Sequence, residues 1–171
     1  MPKPGFKNAA ISKTKSSLGQ KVKKSNPKYH NVQRGILFVE EDGKPESQMT
    51  ALEKMHKMRS GLSKIDLERF KSRTELDYDK LSKALSVTRA TLIKKKGAQK
   101  FSSTLSERII SLADIYSYGY EVFEDEDKFK RWMFSPIRAL GGKAPYDVID
   151  NQFGREEVRN LIGRIDFGIF S

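Results

Sequence analysis

From residue 49 onward the sequence marks out one helix after another, and this limits the fold more than any other feature. Thr50-Ala51-Leu52-Glu53 reads as a capping box, in which each side chain accepts a hydrogen bond from the other residue's orphan backbone N–H. Leu52, Met55 and Met58 follow at three-residue spacing as core filler, and Gly61 ends the helix. Ser63-Lys64-Ile65-Asp66 opens a second helix with Leu67 and Phe70 facing inward. Asp77-Tyr78-Asp79-Lys80 starts a third, its acids suited to the positive end of the helix dipole, with Leu81, Ala84 and Leu85 on the buried face. Thr104-Leu105-Ser106-Glu107 is a further capping box, followed by the stripe Ile109, Leu112, Ala113, Tyr116, Tyr120 and Phe123. Asp125 caps a shorter helix with Phe129, Trp132 and Met133 inward, stopped by Pro136. A Gly141-Gly142 turn leads to Pro145 at a helix start. A last amphipathic helix is expected from about Gly154 to Arg164, with Val158, Leu161, Ile162 and Ile165 on its stripe. The expected class is all-α, without internal repeat or coiled-coil heptad.

Upstream the composition changes. Residues 1–34 hold nine Lys/Arg and no acid, and they are poor in large apolar residues. Such a segment cannot bury enough surface to offset its ordering entropy, so it is expected to be a disordered basic tail. Two readings stand side by side, a solubilising extension and a nonspecific phosphate-binding arm. Gly35-Ile36-Leu37-Phe38-Val39 is an apolar island suited to a short strand or a plug, and Glu40 to Pro45 reads as a turn-rich linker. The charge then alternates: residues 35–48 carry −3, residues 49–101 carry +8 and residues 102–171 carry −3, giving +11 over the 171 residues. This divides the chain into a tail and linker at 1–48, a basic helical unit at 49–101 and a mildly acidic one at 102–171.

The surplus points to a polyanionic partner, most simply nucleic acid. The absence of cysteine excludes disulfides, thiol nucleophiles and Cys-based metal sites. No apolar run approaches the roughly 20 residues of a membrane span, and no secretory signal core is present, so a cytoplasmic protein without membrane attachment is expected. An enzyme is disfavoured. His30 and His56 lack metal-ligand spacing, Gly141-Gly142 lacks the Lys-Ser/Thr of a phosphate loop, and Asp125, Glu126 and Asp127 suit a helix start better than an acid/base pair. Neither cofactor nor metal is expected.

Leu81 to Leu85, the break at Ser86-Val87 and the N-cap Thr88 before a helix to about Lys96 form a helix-turn-helix pattern, with Leu81, Leu85, Val87 and Leu92 as its small core. Thr88, Arg89 and Thr91 are placed for base edges or nearby phosphates. Lys94, Lys95, Lys96 and Lys100 suit phosphates. The alternative is a plain helical bundle with a solvated lysine run.

Leu81-Ser82-Lys83-Ala84-Leu85-Ser86-Val87-Thr88 resembles the Xre/Cro-type motif, with Ser86 where the turn usually has Gly. A non-Gly residue at positive φ there is strained by about 1 kcal/mol. Glu121-Val122-Phe123-Glu124-Asp125, Trp132, Ala139-Leu140-Gly141-Gly142-Lys143-Ala144-Pro145, Gly154-Arg155-Glu156-Glu157-Val158 and Leu161 to Ser171 resemble the Xre/MbcA/ParS toxin-binding domain of bacterial type II antitoxins. The resemblance covers roughly residues 50–171. Ala144 stands where the family places a hydroxyl cap, a loss of about 1 kcal/mol, and Asp166-Phe167 replaces the more usual Glu-His pair.

The resemblance implies an Xre-like DNA-binding domain followed by a small helical toxin-binding domain. It implies a partner, a RES-domain toxin that consumes NAD⁺ and whose site the antitoxin obstructs. It also implies operator DNA bound by a homodimer that represses its own promoter. Arg155, Arg159 and Arg164 can then reach acidic or phosphate-binding groups of a toxin pocket, or else pair on the surface with Glu156, Glu157 or Asp166. Asp166, Phe167, Ile169, Phe170 and Ser171 form an apolar end that either contacts the toxin or docks back on Trp132. The alternative function is a stand-alone helix-turn-helix regulator whose C-terminal domain only dimerises.

Overall fold

A computed structural model describes residues 1–2, 35–38 and 43–168. Among the described residues there are seven α-helices and no strand beyond an isolated Ser63–Lys100 bridge. They are α1 (Ala51–Ser60), α2 (Lys64–Thr74), α3 (Tyr78–Ala84), α4 (Arg89–Lys94), α5 (Ser103–Phe123), α6 (Glu126–Met133) and α7 (Gln152–Asp166). The all-α expectation therefore holds. The tail expected over 1–34 lies, apart from residues 1–2, outside the described residues, as do residues 39–42 of the linker.

The molecule is organised on α5. Its 21 residues span about 32 Å, and α1, α2, α6 and α7 all pack on it. That requires apolar residues beyond a single stripe, and Ile110 and Ile115 are buried beside Ile109, Leu112, Ala113 and Tyr116. At its middle, the ring of Tyr116 meets Phe70, Tyr120 and Phe129 edge-on, with centroids 5.8, 6.0 and 5.3 Å apart. Such geometry sets the positive ring edge against the negative face. Trp132 stacks on Phe129 at 5.9 Å and closes the cluster from α6.

The Tyr116 hydroxyl finds no hydrogen-bond partner among the described residues. Burial pushes its phenol well above the usual range, raises that of Tyr120 as well, and takes Tyr146 to about 12. These groups favour the fold fully below the unfolded tyrosine pKa near 10, and that contribution is lost as pH rises toward the folded values. Circular dichroism is expected to show alkaline unfolding beginning above about pH 10. Tyr116→Phe removes an unsatisfied buried hydroxyl, so it should leave thermal stability unchanged or raise it by about 1 kcal/mol, and it should move the alkaline midpoint upward.

Several local expectations are met. Thr50 and Ser63 form complete capping boxes, and Asp77, Thr88 and Asp125 each accept from the backbone N–H three residues on. Others are corrected. The cap of α5 is Ser102 rather than Thr104, its hydroxyl accepting from Leu105 N at 3.3 Å. Leu105 and Ser106 are buried, so the helix must already be formed there. Leu52 and Met55 are not core filler: α1 has no fully buried residue, and they are 75% and 40% exposed. The second helix of the helix-turn-helix stops at Lys94, because Lys95 turns to extended backbone. The last helix starts earlier than Gly154, at Gln152 behind the Asn151 cap.

The island upstream is a plug. Ile36 and Leu37 are fully buried, and their N–H groups donate to the Glu46 carboxylate at 2.8 and 2.7 Å, with Phe38 N at 3.2 Å. Glu46 is itself wholly buried in a short 3₁₀ turn, Glu46–Gln48, that packs on α5. Three orphan donors and one buried carboxylate thus satisfy each other.

Candidate functional site

Two surfaces carry the residues with candidate functions. The first is the helix-turn-helix, α3 and α4. Ser86 takes φ +49° at the turn, the strain expected of a non-glycine there. Its hydroxyl donates to Asp150 O at 2.6 Å, and Arg108 from α5 donates to Leu85 O at 2.9 Å and Ser86 O at 3.2 Å. Tyr146 adds a bond to Lys80 O at 2.9 Å, and Lys83 pairs with Asp147 at 3.1 Å. The turn is therefore held from outside, by α5 and by the loop before α7, rather than by its own residue preference.

On α4, Leu92 is buried while Arg89, Thr91, Ile93 and Lys94 are exposed. Thr88 Oγ1 accepts from Thr91 N and lies 2.9 Å from Thr91 Oγ1, so both hydroxyls are engaged within the first turn. Arg89 donates to both carboxylate oxygens of Asp79, at 3.1 and 3.2 Å. Both partners are well exposed, and such pairs contribute at most about 1 kcal/mol, so Arg89 can exchange Asp79 for another acceptor. Lys95 and Lys96 lie beyond the helix, on the segment that returns to α5. Lys100 is committed elsewhere, donating to Ser60 O at the end of α1 at 2.6 Å.

Lys64, a residue without a sequence signal, sits under the end of α4. It is 8% exposed and donates to Leu92 O at 2.8 Å while pairing with Glu68 at 2.9 Å. Burial pulls its ammonium down, but hydrogen bonds to Tyr78 and Glu68 outweigh that and hold it above the ordinary lysine value. A cation there complements the negative end of the helix.

The second surface is α7 together with the residues beyond its C-terminus. Of its three arginines, Arg155 does not belong to the surface. It is 5% exposed, donates to Ile149 O at 3.1 Å, and desolvation lowers its pKa. Arg159 reaches Asp114 on α5 at 2.7 Å and lies over the Tyr118 ring. Lys54 of α1 meets the other oxygen of Asp114, also at 2.7 Å, so one nearly buried carboxylate ties three helices. The expected i, i+4 partners are not the ones used. Arg164 is exposed, and Asp166 accepts from the Tyr118 hydroxyl at 3.1 Å.

Phe167 is 79% exposed, so it does not dock on the Trp132 cluster. Ile169, Phe170 and Ser171 lie outside the described residues. Phe153, not singled out by periodicity, is 81% exposed in the first turn of α7. At 100° per residue Phe153, Asn160, Arg164 and Phe167 fall within a sector of roughly 60°. They form an exposed stripe about 21 Å long with an aromatic ring at each end. The signal was available: Phe153 is a large apolar residue five positions from Val158, on the opposite side of the helix from the core stripe.

Among the described residues no helix is long and apolar enough to cross a membrane, and no His/Cys/Asp/Glu group is arranged to hold a metal.

Comparison with known proteins finds two family matches along the chain. Residues 56–114 match the antitoxin Xre-like helix-turn-helix domain, and residues 119–168 match the antitoxin Xre/MbcA/ParS C-terminal toxin-binding domain. The chain is 40% identical over 76 residues to an Antitoxin Xre of Photorhabdus laumondii, covering 44% of this chain and 51% of the relative. It is 34% identical over 73 residues to an Antitoxin Xre of Yersinia enterocolitica, covering 42% and 49%. A Prs ADP-ribosylating antitoxin of Sphingobium is 27% identical over 124 residues, covering 67% of this chain and 78% of the relative. The chain spans about half the length of the two Xre relatives it matches. With both domains in order on one helical frame, the chain matches an Xre-type antitoxin.

Proposed function

We propose that this antitoxin neutralises a RES-domain toxin that consumes NAD⁺, by covering the toxin's active site with α7 and the residues after it. We propose as well that a dimer of the chain binds and represses its own promoter through α4. The observation that carries the toxin reading is the exposed stripe Phe153, Asn160, Arg164, Phe167, within the segment that matches the toxin-binding domain. Solvent-facing aromatics flanking an arginine are the residue types enriched at protein interfaces. Arg155 serves this surface from inside, by fixing the start of α7, and Arg159 by joining α7 to α5. We assign Asp166, Ile169, Phe170 and Ser171 to the same partner as further toxin contacts.

The test is co-expression with the product of the adjacent reading frame, reading NAD⁺ level and copurification. Protection of NAD⁺ by the chain, lost on deleting residues 165–171, is the expected result. Copurification without any effect on NAD⁺ would sink the RES assignment. ADP-ribosylation, which uses NAD⁺ only in proportion to its acceptor, is then the reaction to assay, since one relative carries that word in its name.

For the promoter, Thr88, Arg89 and Thr91 are assigned to base edges, and Lys94, Lys95 and Lys96 to phosphates. Arg89→Ala should cost about 1–3 kcal/mol and relax sequence preference. Lys95→Ala should weaken all duplexes alike and reduce the salt slope by about 1. Loss of preference from Lys95→Ala, measured by fluorescence anisotropy on operator and scrambled duplexes, would contradict the assignment.

A further inference from the structure

Helix α4 gives little to the core. Leu92 alone is buried, and its other five residues are exposed. Among the described residues of α3 and α4, Ile93 is the one large apolar side chain left exposed, at 45%. Folding gives no reason for an isoleucine there. A β-branched side chain facing solvent loses rotamer freedom against the preceding turn and lowers helix propensity, and in so short a helix packing returns nothing for it.

The surroundings of Ile93 define what can cover it. From residue 80 to residue 106 the chain carries seven Lys/Arg and no acid. Arg89 lies one turn before Ile93 and within about 40° of it around the helix, while Ala90 and Lys94 flank it on the other side. The apolar spot is therefore one side chain and a neighbouring methyl inside a cationic rim. A membrane surface calls for a much longer apolar face than this. A second copy of the chain would set the same cations against one another. The charge instead fits a polyanion that presents an isolated apolar group. In the major groove of B-DNA that group is the C5-methyl of thymine.

The placement also suits such a contact. Lys64 donates to Leu92 O at 2.8 Å, so the backbone immediately before Ile93 is anchored to α2. Four residues of helix rise about 6 Å, and base pairs are spaced about 3.4 Å apart. With Arg89 on one base edge, Ile93 lies over a pair about two steps away. We propose that Ile93 is a specificity-determining residue that packs, with Ala90 beside it, on a thymine methyl in the major groove. This rests on the DNA-binding reading of the helix-turn-helix.

The experiment uses the duplex upstream of the reading frame, synthesised with thymine or with uracil throughout. The uracil duplex lacks every C5-methyl and keeps its base pairing. Fluorescence anisotropy titrates the full chain, Ile93→Ala and Ile93→Val on both. One buried methyl contributes about fourfold in affinity, so the parent should prefer the thymine duplex by at least that factor. Ile93→Ala should lose this preference while holding the uracil duplex within about twofold of the parent, which also shows that it is folded. Ile93→Val, still branched and apolar, should keep most of the preference. If the parent binds but ignores the methyl, or if Ile93→Ala keeps the full preference, the assignment is overturned and the helix-turn-helix reading stands. Dissociation of the protein by Ile93→Ala in analytical ultracentrifugation would instead give the residue to a contact between copies. If the parent binds neither duplex, the DNA-binding reading falls and the role of Ile93 with it.

Discussion

Gly154→Ala is expected to cost about 4 kcal/mol or more, the range reserved for severe steric or core defects. A Cβ at this position would lie 1.6 Å from the carbonyl oxygen of Val148 and 2.6 Å from its carbonyl carbon. Both are backbone atoms, so no side-chain rotation relieves the clash. The neighbouring contacts also hold the segment in place: Gly154 N donates to Asn151 Oδ1 at 3.0 Å, and Arg155, next in sequence, is buried against Ile149 O. Relief requires α7 to lift from the 148–151 turn, which takes Val158 and Ile162 out of the core. Against a total stability of about 5–15 kcal/mol, the variant should melt 10 °C or more lower, at roughly 3 °C per kcal/mol. The contrast is Gly163→Ala in the same helix, where the nearest group is the Tyr118 hydroxyl at 3.6 Å. There the better helix propensity of alanine should leave stability equal or raise it by up to about 1 kcal/mol. Differential scanning calorimetry of both decides the matter. A Gly154→Ala protein that melts with the parent would refute the close approach.

The second large effect is expected at Glu46→Ala, about 4 kcal/mol by urea unfolding, because the buried N–H groups of Ile36 and Leu37 and the half-buried one of Phe38 lose their acceptor. Glu46→Gln keeps one acceptor oxygen but brings an amide donor against the same N–H groups, so it should lie between Ala and parent. The loss should also expose the segment at residues 35–38, read as new proteolytic cleavage there under native conditions. Parent-like unfolding of both variants would mean that the clamp contributes nothing.

The elements most legible from sequence were those whose cause lies within four residues. The caps at Thr50, Ser63, Asp77, Thr88 and Asp125 arise from side chains bonding a backbone N–H three positions on, and all five are present. So is the core stripe Ile109, Leu112, Ala113, Tyr116, Tyr120, since helical spacing alone places it. At α5 the local capping pattern pointed to Thr104, but the helix is capped at Ser102 and already includes the buried Leu105 and Ser106, a requirement no local pattern contains. Leu52 and Met55 have the spacing of a core stripe, yet what α5 accepts from α1 is the Lys54 ammonium and the Met58 side.

By itself the sequence determined the all-α class and the helix-turn-helix, because caps and periodicity are properties of neighbouring residues, while the toxin-binding domain after it was legible only through the family resemblance of its motifs. Tertiary structure alone decided the roles of the charged groups. Arg155 went inside with the α7 start, Arg159 and Lys54 were drawn to Asp114, Lys64 to the end of α4, and Glu46 to the plug. The physical reason is range. A charge finds its partner through space, across elements up to 64 positions apart in the chain, and only packing brings those positions together.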